Sequence, residues 1–243
     1  MLERRLDKNA HALPQAWQDH AALRDWSRQA DAALLAQAGL PADDPALWHT
    51  QGGWLRPARL VQALLANECI RFQGCSNVAA IEYQADRQQW ALSAADGRQL
   101  ASADLVVVCA GPHSRAWLPG SLGLRPIRGQ VLMGEARGEA IDEALFPVNG
   151  HGSWIPRFDP GDGSTAWIMG SSFERGCAAL PPSAADMQAA RAENWHKLQT
   201  LLPATAQRHA AELPQASTWA QLRCASNDRR PIVGPVPAAG PHF

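Results

Sequence analysis

The chain has 243 residues, with 22 basic and 23 acidic side chains and a formal net charge of −1 at pH 7. Hydrophobic residues make up 46% of it and charged residues 19%, which excludes intrinsic disorder as a general description. Its uncharged apolar runs are shorter than the roughly 18 residues of a membrane helix, so we expect no membrane partner. The balanced charge gives no global basic footprint for a nucleic acid, although it leaves room for a local arginine patch.

The cysteines and the first residues bear on the compartment. Five cysteines are present, an odd number, and none lies in a C-x-x-C spacing. The sequence starts with charged residues and no apolar signal segment. We therefore predict reduced thiols, no metal site and a cytoplasmic protein.

The first part of the chain is predicted to be largely helical. Apolar residues recur at roughly helical spacing over 14–39, where Gly39 and Pro41 end the run. A second helix is expected over Ala58–Glu68, since Pro57 suits the first helical turn. Its residues Leu60, Val61, Leu64 and Leu65 share one face.

From residue 70 the pattern changes to strands. Short strands separated by polar turns are expected at 70–72, 78–83 and 89–92. Residues 105–110 are apolar at every position, which is typical of a parallel strand buried on both faces. The chain then turns sharply at Gly111, and ligands bind at the carboxyl ends of such strands.

The second part of the chain mixes strands with one long helix. Strands are predicted at 129–133, 153–155, 166–170 and 217–224, with a hairpin loop at Gly161–Gly163. The helix spans about 184–202. Ser183 is its predicted N-cap, with Asp186 at the third helical position, and Pro203 ends it. Residues 227–231 are predicted to form a turn, with another element starting at Ile232. The expected fold class is α/β.

Few side chains carry a specific chemical signal by themselves. The chain contains no G-x-G-x-x-G, P-loop, H-E-x-x-H or G-x-S-x-G sequence, so a metalloprotease or serine hydrolase is disfavoured. Arg223 is the best lone candidate, because it lies at the end of a predicted strand, just before a turn. A guanidinium held there suits a carboxylate ligand, whereas an ion pair with Asp228 is the alternative.

Four segments taken together resemble one family: 51–60, 105–111, 169–176 and 222–237. Their sequences begin Gln-Gly-Gly-Trp-Leu-Arg-Pro, Leu-Val-Val-Val-Cys-Ala-Gly, Met-Gly-Ser-Ser-Phe-Glu-Arg and Leu-Arg-Cys-Ala-Ser-Asn-Asp-Arg-Arg-Pro. Their order and spacing resemble the FAD-dependent oxidoreductase part of the bifunctional tRNA 5-methylaminomethyl-2-thiouridine biosynthesis proteins. That part belongs to the D-amino-acid-oxidase-like flavoproteins, and the likeness runs from about residue 11 to residue 237.

The resemblance implies an incomplete, Rossmann-like FAD-binding domain interleaved with a mixed-sheet substrate domain. Residues 1–52 would be a helical segment of the substrate domain, and 53–124 part of the FAD-binding domain. Residues 125–222 would be the rest of the substrate domain, with its mixed sheet and helix. Residues 223–243 would return into a truncated FAD-binding domain.

The resemblance also implies an activity on tRNA. In this family an enzyme with FAD oxidises the carboxymethyl arm of 5-carboxymethylaminomethyl-2-thiouridine at the wobble position. The resulting imine hydrolyses to glyoxylate and the aminomethyl nucleoside. The cofactor carries the chemistry, while the protein orients the C–H bond and holds the carboxylate. A methyltransferase, fused or separate, would be a partner.

The resemblance also implies site residues, by matching positions of this sequence to functional positions of the family. Arg223 would bind the substrate carboxylate, and Val78, Ala110 and Gly111 would contact the nucleotide half of FAD. A further set would lie on strands that face the flavin ring: Arg128, Gly129, Gln130, Ser171, Ser172 and Arg175. Of these, Arg128, Gln130, Ser172 and Arg175 would join Arg223 in binding the substrate. No catalytic residue is assigned.

Two departures from the family shape the expectations. The family's opening strand and G-x-G-x-x-G helix, which receive the FAD pyrophosphate, are absent from these 243 residues, as is its Gly-rich closing turn. We therefore expect an edge strand at 105–110 that lacks its central partner, and FAD binding that is weak or absent.

Two other functions stay open. One is an oxidase of a small amine or amino acid, and the other is a non-catalytic, truncated fragment that binds tRNA or a partner. A role on tRNA would use a patch drawn from exposed arginines. The candidates are Arg4, Arg5, Arg56, Arg59, Arg229 and Arg230.

Overall fold

A computed structural model describes residues 1–4, 25–117, 123–136 and 145–236. Its strands are β1 (Leu2–Arg4), β2 (Ser27–Gln29), β3 (Ala46–His49), β4 (Ala80–Gln84), β5 (Gln89–Ser93), β6 (Gln99–Ala103), β7 (Arg125–Glu135), β8 (Val148–Gly150), β9 (Gly152–Phe158), β10 (Ala166–Gly170), β11 (Glu174–Arg175) and β12 (Ser217–Ala225). Its α-helices are α1 (Ala32–Gln37), α2 (Pro57–Leu65), α3 (Ala184–Leu201) and α4 (Pro203–His209). Short 3-10 helices span Gly111–Ala116 and Leu213–Gln215.

The chain divides into two units. Unit 1 contains Met1–Trp54, Arg128–Glu174 and Ala179–Gln221. Unit 2 contains Leu55–Ile127, Arg175–Ala178 and Leu222–Phe243. Each unit is therefore assembled from three separate stretches of sequence, and the boundaries predicted above stay a prediction.

A large mixed sheet is the main feature of the described residues. Its strand order is β11-β7-β10-β9-β8-β1-β3-β2, and β12 also pairs with β7. The β1–β8 pair is parallel, whereas β1–β3, β7–β10 and β9–β10 are antiparallel. The α/β class and the mixed sheet are thus confirmed.

The hydrophobic core of the described residues lies within unit 1, where α3 packs on β9 and β10. Trp154 and Trp167 are fully buried, with ring centroids 5.4 Å apart. Leu132 comes from β7, and Leu198 and Leu201 come from α3; all three are fully buried. Burial of these large apolar side chains is the main contribution to the stability of the unit.

The predicted strands and the long helix of the second half of the chain are confirmed, whereas the element expected from Ile232 is not, because residues 232–236 form no helix or strand. The strand at Ala166–Gly170 has the predicted bounds, and the loop at 161–163 joins the antiparallel strands β9 and β10. Helix α3 begins after Ser183, whose hydroxyl accepts a hydrogen bond from the Asp186 backbone N–H. Pro203 ends that helix and also occupies the first turn of α4. Helix α4 was not predicted from the sequence.

The predicted helix over 14–39 is wrong in part. Residues 27–29 form strand β2, which pairs with β3 so that Ser27 lies opposite His49. A shorter helix follows, capped by Asp31, and Gly39 takes a left-handed φ of 65° after it. Strand pairing has overridden the local helical spacing. Residues 14–24 of the prediction lie outside the described residues.

Unit 2 contains a separate three-stranded antiparallel sheet, β4-β5-β6, and helix α2. The strands predicted at 78–83 and 89–92 are confirmed as β4 and β5. Helix α2 begins at Pro57, one residue before the predicted Ala58, and ends at Leu65, three residues before Glu68. Its apolar residues Leu60, Val61 and Leu64 are exposed.

Two predicted strands of unit 2 are wrong. Residues 70–72 and 105–110 have no strand assignment, and Leu105 and Val107 are 76% and 74% exposed. A fully apolar segment forms a buried parallel strand only between two hydrogen-bonded neighbours. Within the described residues, neither sheet includes this segment, so it has no strand partners.

Candidate active site

The first group of predicted site residues forms a buried polar network in unit 1. Arg128, on β7, is only 2% exposed. Its Nε donates to Oε2 of Glu174 at 2.8 Å, and its Nη2 donates to both Glu174 and Asp186. Its Nη1 donates to the Ala179 carbonyl at 2.9 Å. The guanidinium is therefore held by two carboxylates and one backbone oxygen.

Gln130 and Ser172 complete the same network. Gln130 Nε2 and Ser172 Oγ both donate to Glu174 Oε1, each at 2.7 Å. The backbone N–H of Gln130 donates to Ser172 Oγ, and Asn194 Nδ2 donates to the Gln130 carbonyl. Glu174 thus accepts hydrogen bonds at both carboxylate oxygens, which ties β7 to the segment after β10.

The electrostatics of the network favour its charged form. Burial works to raise the pKa of Glu174, but hydrogen bonds from Gln130, Ser172 and Arg128 hold that pKa below its ordinary value. Hydrogen bonds from Arg128 and Ser183 lower the pKa of Asp186 as well. Hydrogen bonds to Asp186 and Glu174 raise the pKa of Arg128. All three groups are ionised at neutral pH.

The structure brings together three of the five predicted substrate-binding residues: Arg128, Gln130 and Ser172. Their observed partners are protein groups, above all Glu174. Sequence reasoning missed Glu174 and missed the second role of Asp186, which it saw only as part of a helix cap. No sequence pattern marks Glu174, because its partner Arg128 lies 46 positions away along the chain.

The other two predicted substrate-binding residues belong to unit 2. Arg223 lies near the end of β12, and Arg175 at the end of β11; both are exposed. The adjoining Gly176 N–H donates to the Pro126 carbonyl at 3.3 Å. Arg229 and Arg230 follow in the predicted turn, which closes through a hydrogen bond from the Arg229 N–H to the Ser226 carbonyl.

The three predicted cofactor-binding residues also lie in unit 2. Val78 is half-buried beside the start of β4, while Ala110 is exposed. Gly111 begins the 3-10 helix with a left-handed φ of 55°, a conformation that favours glycine. A Cβ added at Gly111 would lie 3.9 Å from Cβ of Cys224, so the turn adjoins the end of β12.

A family model for FAD-dependent oxidoreductases, described as DAO, matches residues 2–243. The chain belongs to this family. Its members use FAD to oxidise their substrates, which supports an oxidoreductase role and fits the expectation from the four segments.

Curated relatives of this family member are bifunctional tRNA-modification proteins. A protein of Paracidovorax citrulli is 48% identical over 248 residues, which cover 98% of this chain and 39% of the relative. A protein of Delftia acidovorans is 45% identical and is covered to 38%. Both are named tRNA 5-methylaminomethyl-2-thiouridine biosynthesis bifunctional protein MnmC. The chain spans about two-fifths of the length of these relatives.

Solved structures support the fold. Glycine oxidase from Geobacillus kaustophilus superposes with a TM-score of 0.69 at 18% identity, over 98% of this chain and 62% of that one. Iminodiacetate oxidase from Chelativorans gives a TM-score of 0.59 at 20% identity, over 97% of this chain and 63% of that one. At these identities the likeness shows the fold alone.

The residues present fit only part of an FAD site. Gly111 offers a glycine turn directly after the apolar segment 105–110, but the 243 residues contain no G-x-G-x-x-G turn to hold a pyrophosphate. Within the described part of the chain, no group of three His, Cys, Asp or Glu side chains is arranged to hold a metal ion. None of its described helices is long and apolar enough to cross a membrane.

Proposed function

We propose that the protein is an FAD-dependent oxidoreductase that removes the carboxymethyl group of 5-carboxymethylaminomethyl-2-thiouridine at the tRNA wobble position. The observation that carries this proposal is the 48% identity, over 98% of the chain, to a relative named for tRNA 5-methylaminomethyl-2-thiouridine biosynthesis. The site of action would be the cytoplasm, where tRNA is modified. The name of that relative calls it bifunctional, which supports a second activity as a partner. From the family resemblance, that activity would be a methyltransferase, fused or separate.

Arg223 would bind the carboxylate of the substrate arm. Its side chain is exposed on a strand, and a strand holds a guanidinium more rigidly than a loop does. A bidentate guanidinium–carboxylate pair fixes both the position and the orientation of the arm. Arg175, also exposed and in the same unit, would add a second positive charge near the substrate.

Arg128, Gln130 and Ser172 would contribute through their shared network within unit 1. Their donors are directed to Glu174 and Asp186, so they would act by holding β7 and the segment after β10 in a fixed position. Val78, Ala110 and Gly111 would contact the nucleotide half of FAD. When bound, FAD would accept the two electrons that leave the substrate.

The overall reaction balances with water as the second reactant. The carbon between the amine nitrogen and the carboxylate loses two electrons and one proton, the nitrogen loses one proton, and the electrons and both protons would pass to FAD. Water then supplies the carbonyl oxygen that replaces the C–N bond and the two protons that complete the primary amine. The products are glyoxylate and the aminomethyl nucleoside. Holding the carboxylate limits the motion of that carbon, which lowers the entropic cost of reaching the reactive geometry.

The test uses protein produced from its complete reading frame, with FAD added. The substrate is tRNA isolated from cells that cannot remove the carboxymethyl group, and the readout is mass spectrometry of the digested nucleosides. We expect the wobble nucleoside to lose the mass of the carboxymethyl group and glyoxylate to appear. If free glycine or sarcosine is oxidised while the nucleoside stays unchanged, the protein is a small-amine oxidase and the proposal fails.

A further inference from the structure

Formal charge is divided very unevenly between the two units. Unit 2 contains eleven arginines, no lysine and six acidic residues, a formal charge of +5. Unit 1 contains eleven basic and seventeen acidic residues, a formal charge of −6. The net charge of −1 for the whole chain conceals this division. A polyanion would be attracted to unit 2 and repelled by unit 1.

Five of the arginines of unit 2 come from three segments that meet. Strand β7 pairs with both β11 and β12. The Gly176 N–H donates to the Pro126 carbonyl, and the Asn227 side chain lies against Gly123, where a Cβ would not fit. The start of β7, the end of β11 and the end of β12 are therefore neighbours. We call their arginines the arginine corner: Arg125, Arg175, Arg223, Arg229 and Arg230.

The arginine corner is solvent-exposed and has little negative charge of its own. All five side chains are exposed. Asp228 is the one acidic residue in 123–127, 175–178 and 222–236. Its carboxylate accepts hydrogen bonds from the Ser226 hydroxyl and the Arg230 backbone N–H, while Arg230 Nε is 4.0 Å away. An exposed pair at that distance neutralises the arginine only weakly.

The remaining arginines predicted to form a tRNA-binding patch are differently placed. Arg4 is engaged by Asp44 and by the carbonyls of Thr200 and Leu201, and its side chain is 14% exposed. It is therefore held within unit 1. Arg59, on α2, is exposed and donates to Gln62. Arg5 lies outside the described residues, and Arg56 is half-buried.

We infer that the arginine corner binds the sugar-phosphate backbone of the RNA substrate, around the carboxylate held by Arg223. This inference rests on the proposed function. A free amino acid carries one carboxylate and needs one guanidinium, whereas five exposed arginines match a ligand with several phosphates. The planar guanidinium binds phosphate oxygens in pairs, and each neutralised phosphate makes binding more sensitive to salt.

The test is RNA binding by protein from the complete reading frame. The probe is a fluorescein-labelled anticodon stem-loop RNA, titrated at several salt concentrations by fluorescence anisotropy. The test variant is Arg229→Glu/Arg230→Glu, and Arg125→Glu is a second variant on a different segment. The matched control is Arg87→Glu/Arg98→Glu, which reverses two exposed charges elsewhere in unit 2.

We expect the Arg229→Glu/Arg230→Glu variant to bind at least about tenfold more weakly at low salt and to reduce the slope of log K against log salt by about 2. Arg125→Glu should reduce that slope by about 1, and the control should match the wild type. Equal effects of test and control variants, or no RNA binding by the wild type, would overturn the inference. Displacement of the RNA by FAD would overturn it too, since the corner would then hold the cofactor phosphates.

This outcome is distinct from that of the proposed function. The proposed function fails when the wild type leaves the wobble nucleoside unchanged. The inference about the arginine corner fails when its variants bind the RNA as tightly as the wild type does, whatever the result of the nucleoside assay.

Discussion

Glu174 holds Arg128 through two separate nitrogens of the guanidinium, Nε at 2.8 Å and Nη2. The arginine is nearly inaccessible to water, while the Glu174 side chain is 21% exposed. A buried guanidinium is tolerated only while it stays paired, because an unpaired buried charge costs far more than the pair contributes. The two residues therefore act as a unit.

Glu174→Gln tests this dependence. The substitution keeps the shape but leaves Arg128 with only Asp186 as an anionic partner, so we expect the melting temperature to fall by roughly 5–10 °C. Differential scanning calorimetry measures it. Asp43→Asn, which removes an exposed carboxylate from the same unit, is the control and should change the melting temperature by less than about 2 °C. Equal melting-temperature shifts in the two variants would show that the Arg128–Glu174 pair contributes no more to stability than an exposed carboxylate does.

The same network predicts how stability depends on pH. Glu174 and Asp186 have ordinary pKa values of 4.5 and 3.8, and both pKa values are lowered in the folded protein. Their contribution is therefore fully present above those ordinary values, and it is lost as the pH falls through the lowered folded values. Urea unfolding from pH 7 to pH 3 should show the loss. The loss of unfolding free energy between pH 7 and pH 3 should be smaller in Glu174→Gln than in the wild type. An equal loss in the two proteins would show that other carboxylates cause it.

Gly134 shows how closely the core is packed. A Cβ at this position would overlap the indole of Trp167, which is fully buried. We expect Gly134→Ala to destabilise the protein by about 1–3 kcal/mol, measured by chemical denaturation. Gly53→Ala is the matched control, because no atom lies within 4 Å of the position that its added Cβ would take and the φ of Gly53 is not left-handed. A stable Gly134→Ala variant would mean that Trp167 can move.

Local pattern predicted the elements that carry their own signals. Ser183 and Pro203 mark the ends of α3, and the apolar run at 166–170 is flanked by turns. Strands β1 and β3 were missed, since three or four residues carry too little periodicity and these strands form by pairing with distant segments. The prediction that Leu105 is buried was wrong. Burial of a strand depends on its neighbouring strands, which the sequence of a single segment does not reveal.

The candidate site shows the same contrast between local sequence signals and contacts between distant segments. Arg223 could be singled out from its place beside a turn, and the resemblance added a role for it. Glu174 could not be found, because what marks it is its approach to Arg128, 46 positions away along the chain. Side chains that act through such distant contacts leave no spacing for a sequence pattern to detect.

FAD binding by the 243-residue chain on its own is a further prediction. Since these residues contain no G-x-G-x-x-G turn for the pyrophosphate, we expect weak binding and little flavin after desalting. The measurement is the flavin absorbance of the purified chain after incubation with excess FAD. A stoichiometric flavin spectrum would contradict the expectation and would show that another part of the chain holds the phosphates.

The role of Arg223 is the central claim, and one kinetic comparison tests it most directly. The measurement is kcat/KM for removal of the carboxymethyl group from tRNA, for the wild type and for Arg223→Gln, both from the complete reading frame with FAD added. Loss of a charged partner of the carboxylate predicts a decrease of about 100-fold or more, whereas Arg87→Gln should match the wild type. A value for Arg223→Gln within about twofold of the wild type would contradict the account.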